Sequence, residues 1–219
     1  MNKTDVIDRT AEYARETLEA DSSGHDWWHV ARVRRLALEL AREEQADLHV
    51  VELAALLHDI SDYKLNGGDL TKGPRRAFEW LVGLGEPEGV ARDVADIIAA
   101  MSFKGAGTAS EMATIEGKVV QDADRLDAIG AIGVARAFAY GGYKGEPMHV
   151  PGLSPHLHTS LDDYLNRQGS TINHFYEKLL LLKDRMNTAG GRRLAERRHR
   201  VLERFLDDFL TEWDAEDIG

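Results

Sequence analysis

The chain has no cysteine. That excludes disulfides, thiolate-bound zinc, iron–sulfur clusters and thiol nucleophiles. Proline is scarce: five in 219 residues, three of them (Pro147, Pro151 and Pro155) in one stretch. The other two, Pro74 and Pro87, stand where helices are expected to start, because the first turn tolerates a missing N–H. Positive charge is in deficit. Lys+Arg 27 against Asp+Glu 38 gives a net −11, which argues against a broad basic surface for duplex nucleic acid or an anionic membrane. Long apolar runs are missing as well. The segment 50–57 is interrupted by Glu52 and is far short of the ~20 residues that span a bilayer. The opening MNKTDVIDRT has no apolar signal core. The expectation is a cytoplasmic protein with no membrane association.

What is present is ordinary globular composition, 43% hydrophobic and 30% charged. A chain of this length buries ~70% of its unfolded surface and needs no staples. It suits one domain, or one with an appended helical element. No alternating β-branched runs lie between turn signals, so the fold class is all-α. Helices are expected at roughly 4–20, 26–45, 48–60, 74–84, 87–101, 114–141, 160–184 and 190–212. Asp47 is a suitable N-cap for the third, where Val50, Leu53, Ala54 and Leu57 form one apolar face. Gly130 and Gly133 in 114–141 each cost ~1 kcal/mol against alanine and imply close packing. The stretch 141–158 is expected to be a long, mobile loop that can act as a lid.

Three segments carry polar residues in apolar surroundings. LAALLHDI (53–60) ends in His58 and Asp59. Such a pair is costly to bury unless hydrogen-bonded, paired or on a metal; taken alone, it reads first as an exposed helix end with Asp59 turned to solvent. GHDWWHVARV (24–33) sets His25 and His29 four apart on one helix face, with Arg32 three beyond; both histidines also read as flanks of a Trp27–Trp28 core. VVQDADRLDAIGAIG (119–133) has three aspartates in six residues. Asp124 and Asp127 share a face, and Asp122 points about 200° from Asp124. Solvated carboxylates are the plain alternative. Taken together, a histidine, a His–Asp pair and a later aspartate can close a site of two imidazoles and two carboxylates. That donor mix suits a borderline divalent metal better than calcium, and such an ion lowers the pKa of water and polarises a phosphoryl group.

The order H…HD…D resembles the HD-domain metal-dependent phosphohydrolases. The segments GHDWWHVARV, LLHDISDYK, MSFKG, VVQDADRLDAIGAIGVARAF and TINHFYEKLLLLKDRMNT are similar to the YpgQ-like bacterial branch, over about residues 20–205. The resemblance implies a single HD domain over 1–219: a core at about 20–142, a lid loop at about 143–159 and C-terminal helices at about 160–212. It implies His29, His58, Asp59 and Asp124 as metal ligands, and not Asp122. His25 is expected at the substrate rather than on the metal. Asp62, three after Asp59, matches a position where several HD enzymes carry a carboxylate that orients or deprotonates water. Asp127 is the other candidate base, or an anchor for a ligand.

Phosphate calls for cations, and Arg32, Lys104, Arg125, Lys178 and Lys183 lie in the motif segments. Lys104, in MSFKG, is the most suggestive, since lysine meets phosphate as a point charge. Lys178 and Lys183 are five apart, so at most one is expected in the site. A local basic pocket on a −11 protein selects a small anion over a long polyanion. His149, His156 and His158 read as loop residues, not a second metal site. The 191–205 segment reads as a salt-bridged solvated helix rather than an RNA-binding one.

The implied function is metal-dependent phosphohydrolysis. By family analogy its substrate would be a nucleoside triphosphate, deoxy in its sugar, cut to monophosphate and pyrophosphate. Alternatives are a 5′-nucleotide phosphomonoesterase, a phosphodiesterase, or, in another class, a non-catalytic nucleotide- or metal-sensing module. Mn²⁺ is the expected cofactor, with Fe²⁺, Co²⁺, Ni²⁺, Zn²⁺ and Mg²⁺ as alternatives. Trp27, Trp28, Phe103 and Tyr143 are the candidates for base stacking. A homodimer is the expected assembly if there is one.

Overall fold

The computed structural model describes residues 1–19, 26–61, 71–101, 112–157 and 169–218. Among them the regular structure is helical throughout, as the sequence predicts. Contacts group the chain into an N-terminal unit up to Asp124 and a C-terminal unit from Arg125 onward.

The N-terminal unit is built from α1 (Lys3–Leu18), α2 (Trp27–Glu44), α3 (Leu48–Leu57), α4 (Lys72–Gly83), α5 (Glu88–Ala100) and most of α6 (Ile115–Asp127). α3 is its centre. Asp47 caps it as expected, accepting from the His49 and Val50 amides at 2.8 and 3.4 Å. The apolar face read from the sequence understates the burial, because Val51, Ala55 and Leu56 are 0% exposed along with Leu53, Ala54 and Leu57. A helix buried over so much of its surface belongs inside, and α1, α2 and α5 pack around this one. α1 is fastened to α4 by the Tyr13–Trp80 ring stack, at 4.0 Å between centroids. The Trp80 indole N–H donates to Thr10 Oγ1 at 3.1 Å, and Arg76 donates to Tyr13 Oη at 2.7 Å.

The C-terminal unit holds the last residues of α6, then α7 (Gly130–Lys144), a short helix Thr171–Glu177, two 3₁₀ turns (Leu179–Leu181 and Lys183–Arg185), a 25-residue helix Ala189–Trp213 and a final 3₁₀ turn. Phe138, Phe175, Phe205 and Phe209 form its aromatic core, with ring centroids 5.5–6.1 Å apart.

Three expectations are corrected. The helix expected over 114–141 is two helices, broken at 128–129, with Gly130 at φ +77° opening the second. A side chain is strained at that angle, and a Cβ there would stand 3.0 Å from Arg198 Cβ. The helix expected over 160–184 is helical only at 171–177 within its described part, then tightens into 3₁₀ turns. The loop expected to be mobile is tied down where it is described. The Thr171 and Ile172 amides, donors at a helix start, bond the Pro147 and Met148 carbonyls at 3.0 and 2.9 Å. Asn173 reaches Leu153 O at 3.2 Å, and the His156 amide donates to buried Glu177 at 3.0 Å.

Candidate metal centre

His29 sits in the first turn of α2. Asp26 caps that helix, its side chain accepting from the His29 amide at 2.9 Å, so the cap also fixes where the His29 backbone stands. The His29 ring is fully buried. His58 and Asp59 follow directly on α3, where the helix ends and the chain turns. Asp124 is on α6, between fully buried Ala123 and Arg125, which is 9% exposed.

These four side chains converge. The Nε2 atoms of His29 and His58 are 3.1 Å apart. Asp59 Oδ2 lies 3.3 Å from His29 Nε2 and 3.5 Å from His58 Nε2. Asp124 Oδ1 lies 3.5 and 4.0 Å from the same two nitrogens. Donor atoms of His29, His58 and Asp59 all fall within 4.8 Å of one another. Donors bound at about 2.1 Å to one ion, at right angles, stand about 3 Å apart, so the spacing is that of a coordination shell.

The protons support this reading. His58 Nδ1 is 2.9 Å from the Ala55 carbonyl, which can only accept. A neutral His58 therefore carries its proton on Nδ1 and turns a bare Nε2 lone pair toward His29. A cation resolves such a convergence of lone pairs and carboxylates, and the backbone carbonyl fixes the ring for it. The carboxylate edge is the accessible one, with Asp124 35% and Asp59 17% exposed in their side chains against 0% and 2% for the histidines.

The remaining candidates divide. Arg32 is half-buried on α2, one turn beyond His29. His25, Asp62, Lys104 and Phe103 lie outside the described residues, as does His158. Asp122 is fully buried rather than solvated. Asp127 is also buried. It accepts from Arg136 at 3.0 Å within the C-terminal unit, and it faces Arg198, whose guanidinium burial holds below its usual range while the Asp127 charge opposes that. Arg125 donates to the Arg185 carbonyl. Lys178 closes the 171–177 helix, its amide bonding His174 O at 3.0 Å. Lys183 pairs loosely with Glu196 at 3.9 Å, and His199 with Glu203 at 3.3 Å, in keeping with a salt-bridged surface helix. His149 packs edge-on against Trp213 at 5.0 Å. Two supporting groups escaped the sequence reading, Asp26 and the Ala55 carbonyl. An Asp just before an apolar helical period was a usable signal for the first; a carbonyl leaves none.

The profile of the HD domain family matches residues 27–129, the span that holds all four converging side chains. Bacillus subtilis YpgQ is 41% identical over 207 residues, which cover 94% of this chain and 93% of YpgQ. This chain belongs to the HD-domain family. Within that family it is YpgQ-like. The crystal structure of YpgQ in complex with ADP superposes with a TM-score of 0.73 at 39% identity, over 94% of this chain and 97% of that one. An HD-superfamily hydrolase from Bacillus thuringiensis gives 0.74 at 43% identity, over 98% and 100%. A Lactobacillus plantarum structure gives 0.87 at 39%, over the same shares. The HD assignment accounts for the helical fold. No described helix is long and apolar enough to cross a membrane.

Proposed function

We propose that this HD-domain protein is a metal-dependent phosphohydrolase of nucleotides, and specifically a (deoxy)nucleoside triphosphate pyrophosphohydrolase releasing monophosphate and pyrophosphate. The observation that carries the reading is the convergence of His29, His58, Asp59 and Asp124. Two neutral nitrogens and two carboxylates fit a divalent ion of the Mn²⁺ type, with Fe²⁺, Co²⁺, Ni²⁺, Zn²⁺ and Mg²⁺ as alternatives. Such an ion supplies Lewis acidity toward water and a phosphoryl oxygen. The nucleotide assignment is supported by YpgQ, whose structure contains ADP.

The chain's own residues supply the rest. The Asp26 cap fixes the backbone of His29, and the Ala55 carbonyl fixes the His58 ring. One carboxylate is required to take a proton from the attacking water. Asp127 is engaged by Arg136, so we assign that role to Asp62, three residues after Asp59. Arg32 and Lys104, with Lys178, neutralise charge on the transferred group. Arg125 holds the Arg185 turn and is the weaker candidate.

The test is to incubate metal-stripped protein with a panel of nucleoside and deoxynucleoside triphosphates plus Mn²⁺, assaying pyrophosphate and orthophosphate separately beside Asp124→Ala. Pyrophosphate from the wild type alone upholds the assignment. Orthophosphate alone replaces it with a phosphatase, and silence from both proteins removes the triphosphate substrate.

A further inference from the structure

Trp28 is 66% exposed, although an indole is among the side chains that gain most from burial. It immediately precedes His29, which is 0% exposed. At about 100° per residue, the buried Val30, Val33, Ala37 and Leu40 all lie to one side of His29 round α2. On the other side come Arg32, about 60° away, and then Trp28, about 100° away. His29 thus stands at the edge of the buried arc. Leaving it on the solvent side, one meets a guanidinium and then an exposed indole, four residues apart and one turn along the same face.

We propose that Trp28 is the base-stacking platform of the nucleotide site. The inference rests on the nucleotide reading above and adds which part of the substrate is recognised, and how. Phosphate held beside His29 and Arg32 leaves the base to lie against the next group round the helix. A flat indole binds any base by its π-face and reads no hydrogen-bond pattern. The substrate class is therefore nucleotides irrespective of base, with purines held more tightly through their larger rings.

The experiment is calorimetric titration of the Mn²⁺-loaded full chain, as wild type, Trp28→Ala and Trp28→Phe. The probes are α,β-methylene-ADP and methylenediphosphonate, which has the same bridge without a nucleoside. Stacking on an aromatic side chain is worth about 1–3 kcal/mol per base, or about 5- to 150-fold in Kd. Trp28→Ala is expected to weaken the nucleotide analogue by at least about fivefold and to leave the diphosphonate unchanged. Trp28→Phe is expected to stay within about threefold of wild type. In turnover, Trp28→Ala raises KM and leaves kcat in place. Equal binding of the nucleotide analogue by wild type and Trp28→Ala overturns the stacking role and spares the nucleotide reading. Equal loss of both probes in Trp28→Ala overturns it as well, since the defect is then not in the base. A wild type that takes the diphosphonate but not the analogue, or neither, defeats the nucleotide reading and this inference with it.

Discussion

His58 donates from Nδ1 to the Ala55 carbonyl three residues before it, at 2.9 Å, and so turns a bare Nε2 toward the 3.1 Å contact with His29. The last turn of α3 thereby sets the tautomer of a neutral His58, a candidate ligand. Two consequences follow for metal binding. His58→Ala should weaken Mn²⁺ by more than the 10–100-fold typical of losing a supporting group, as read by calorimetry. Wild-type protein at Mn²⁺ a hundredfold above its Kd should gain about 2.7 kcal/mol in urea unfolding. Chelation should remove that gain, and His58→Ala should never show it. A gain of equal size in the variant would place the ion elsewhere.

The Asp26 cap makes a smaller, separable prediction. Its bond to the His29 amide stabilises α2 and positions a candidate ligand at once. Asp26→Ala should cost about 1 kcal/mol of stability and lower Mn²⁺ affinity by less than His58→Ala does. Asp26→Asn keeps a capping oxygen and should restore most of both. Unchanged metal affinity in Asp26→Ala would separate the cap from the site.

The candidate metal site was legible because its signal is one of order and chemistry. A histidine, a His–Asp pair in an apolar run and an aspartate on a later helix leave few other uses for those residues. Other features depended on partners distant in sequence. The apolar pattern of α3 reads as one face, yet Val51, Ala55 and Leu56 outside that face are buried too. Gly130 and Gly133 imply close packing, and a Cβ at either would crowd a neighbour, Arg198 at the first and the Ala128 carbonyl at the second. What the pattern does not show is the break at 128–129 just before them. Asp127 shares the Asp124 face by helical phase, but its use is decided by Arg136, nine residues on and across the break. Trp28 could be read as core from the apolar residues around it, and only its exposure separates it from them.

Asp62 and Asp127 are distinguished by what their loss would damage. Asp62→Asn should lower kcat by at least about a hundredfold, the lower range for a general base, with Mn²⁺ affinity and stability retained. Arg136→Met removes the 3.0 Å salt bridge to the Asp127 carboxylate, which is 2% exposed in its side chain. It should destabilise the fold by about 3 kcal/mol, the lower range for breaking a buried pair, and leave metal affinity unchanged. If Asp127→Asn folds normally yet loses turnover, and Asp62→Asn does not, the assignment is reversed.

The break before α7 should be sensitive at Gly130. Its φ of +77° lies where a Cβ is strained, and the added carbon would meet Arg198 Cβ at 3.0 Å and Cγ at 3.1 Å. Arg198 cannot simply swing aside, because its guanidinium donates to the Leu126 carbonyl at the end of α6. Gly130→Ala therefore combines a backbone penalty with crowding, and should cost at least about 2 kcal/mol in urea unfolding, within the range for overpacking. Gly142→Ala is the control. That glycine is on the same helix with open space around its missing Cβ, and alanine there should be neutral or stabilising by up to about 1 kcal/mol. Equal effects at the two positions would mean that the turn into α7 does not depend on the left-handed backbone, and that the Arg198 contact yields without cost.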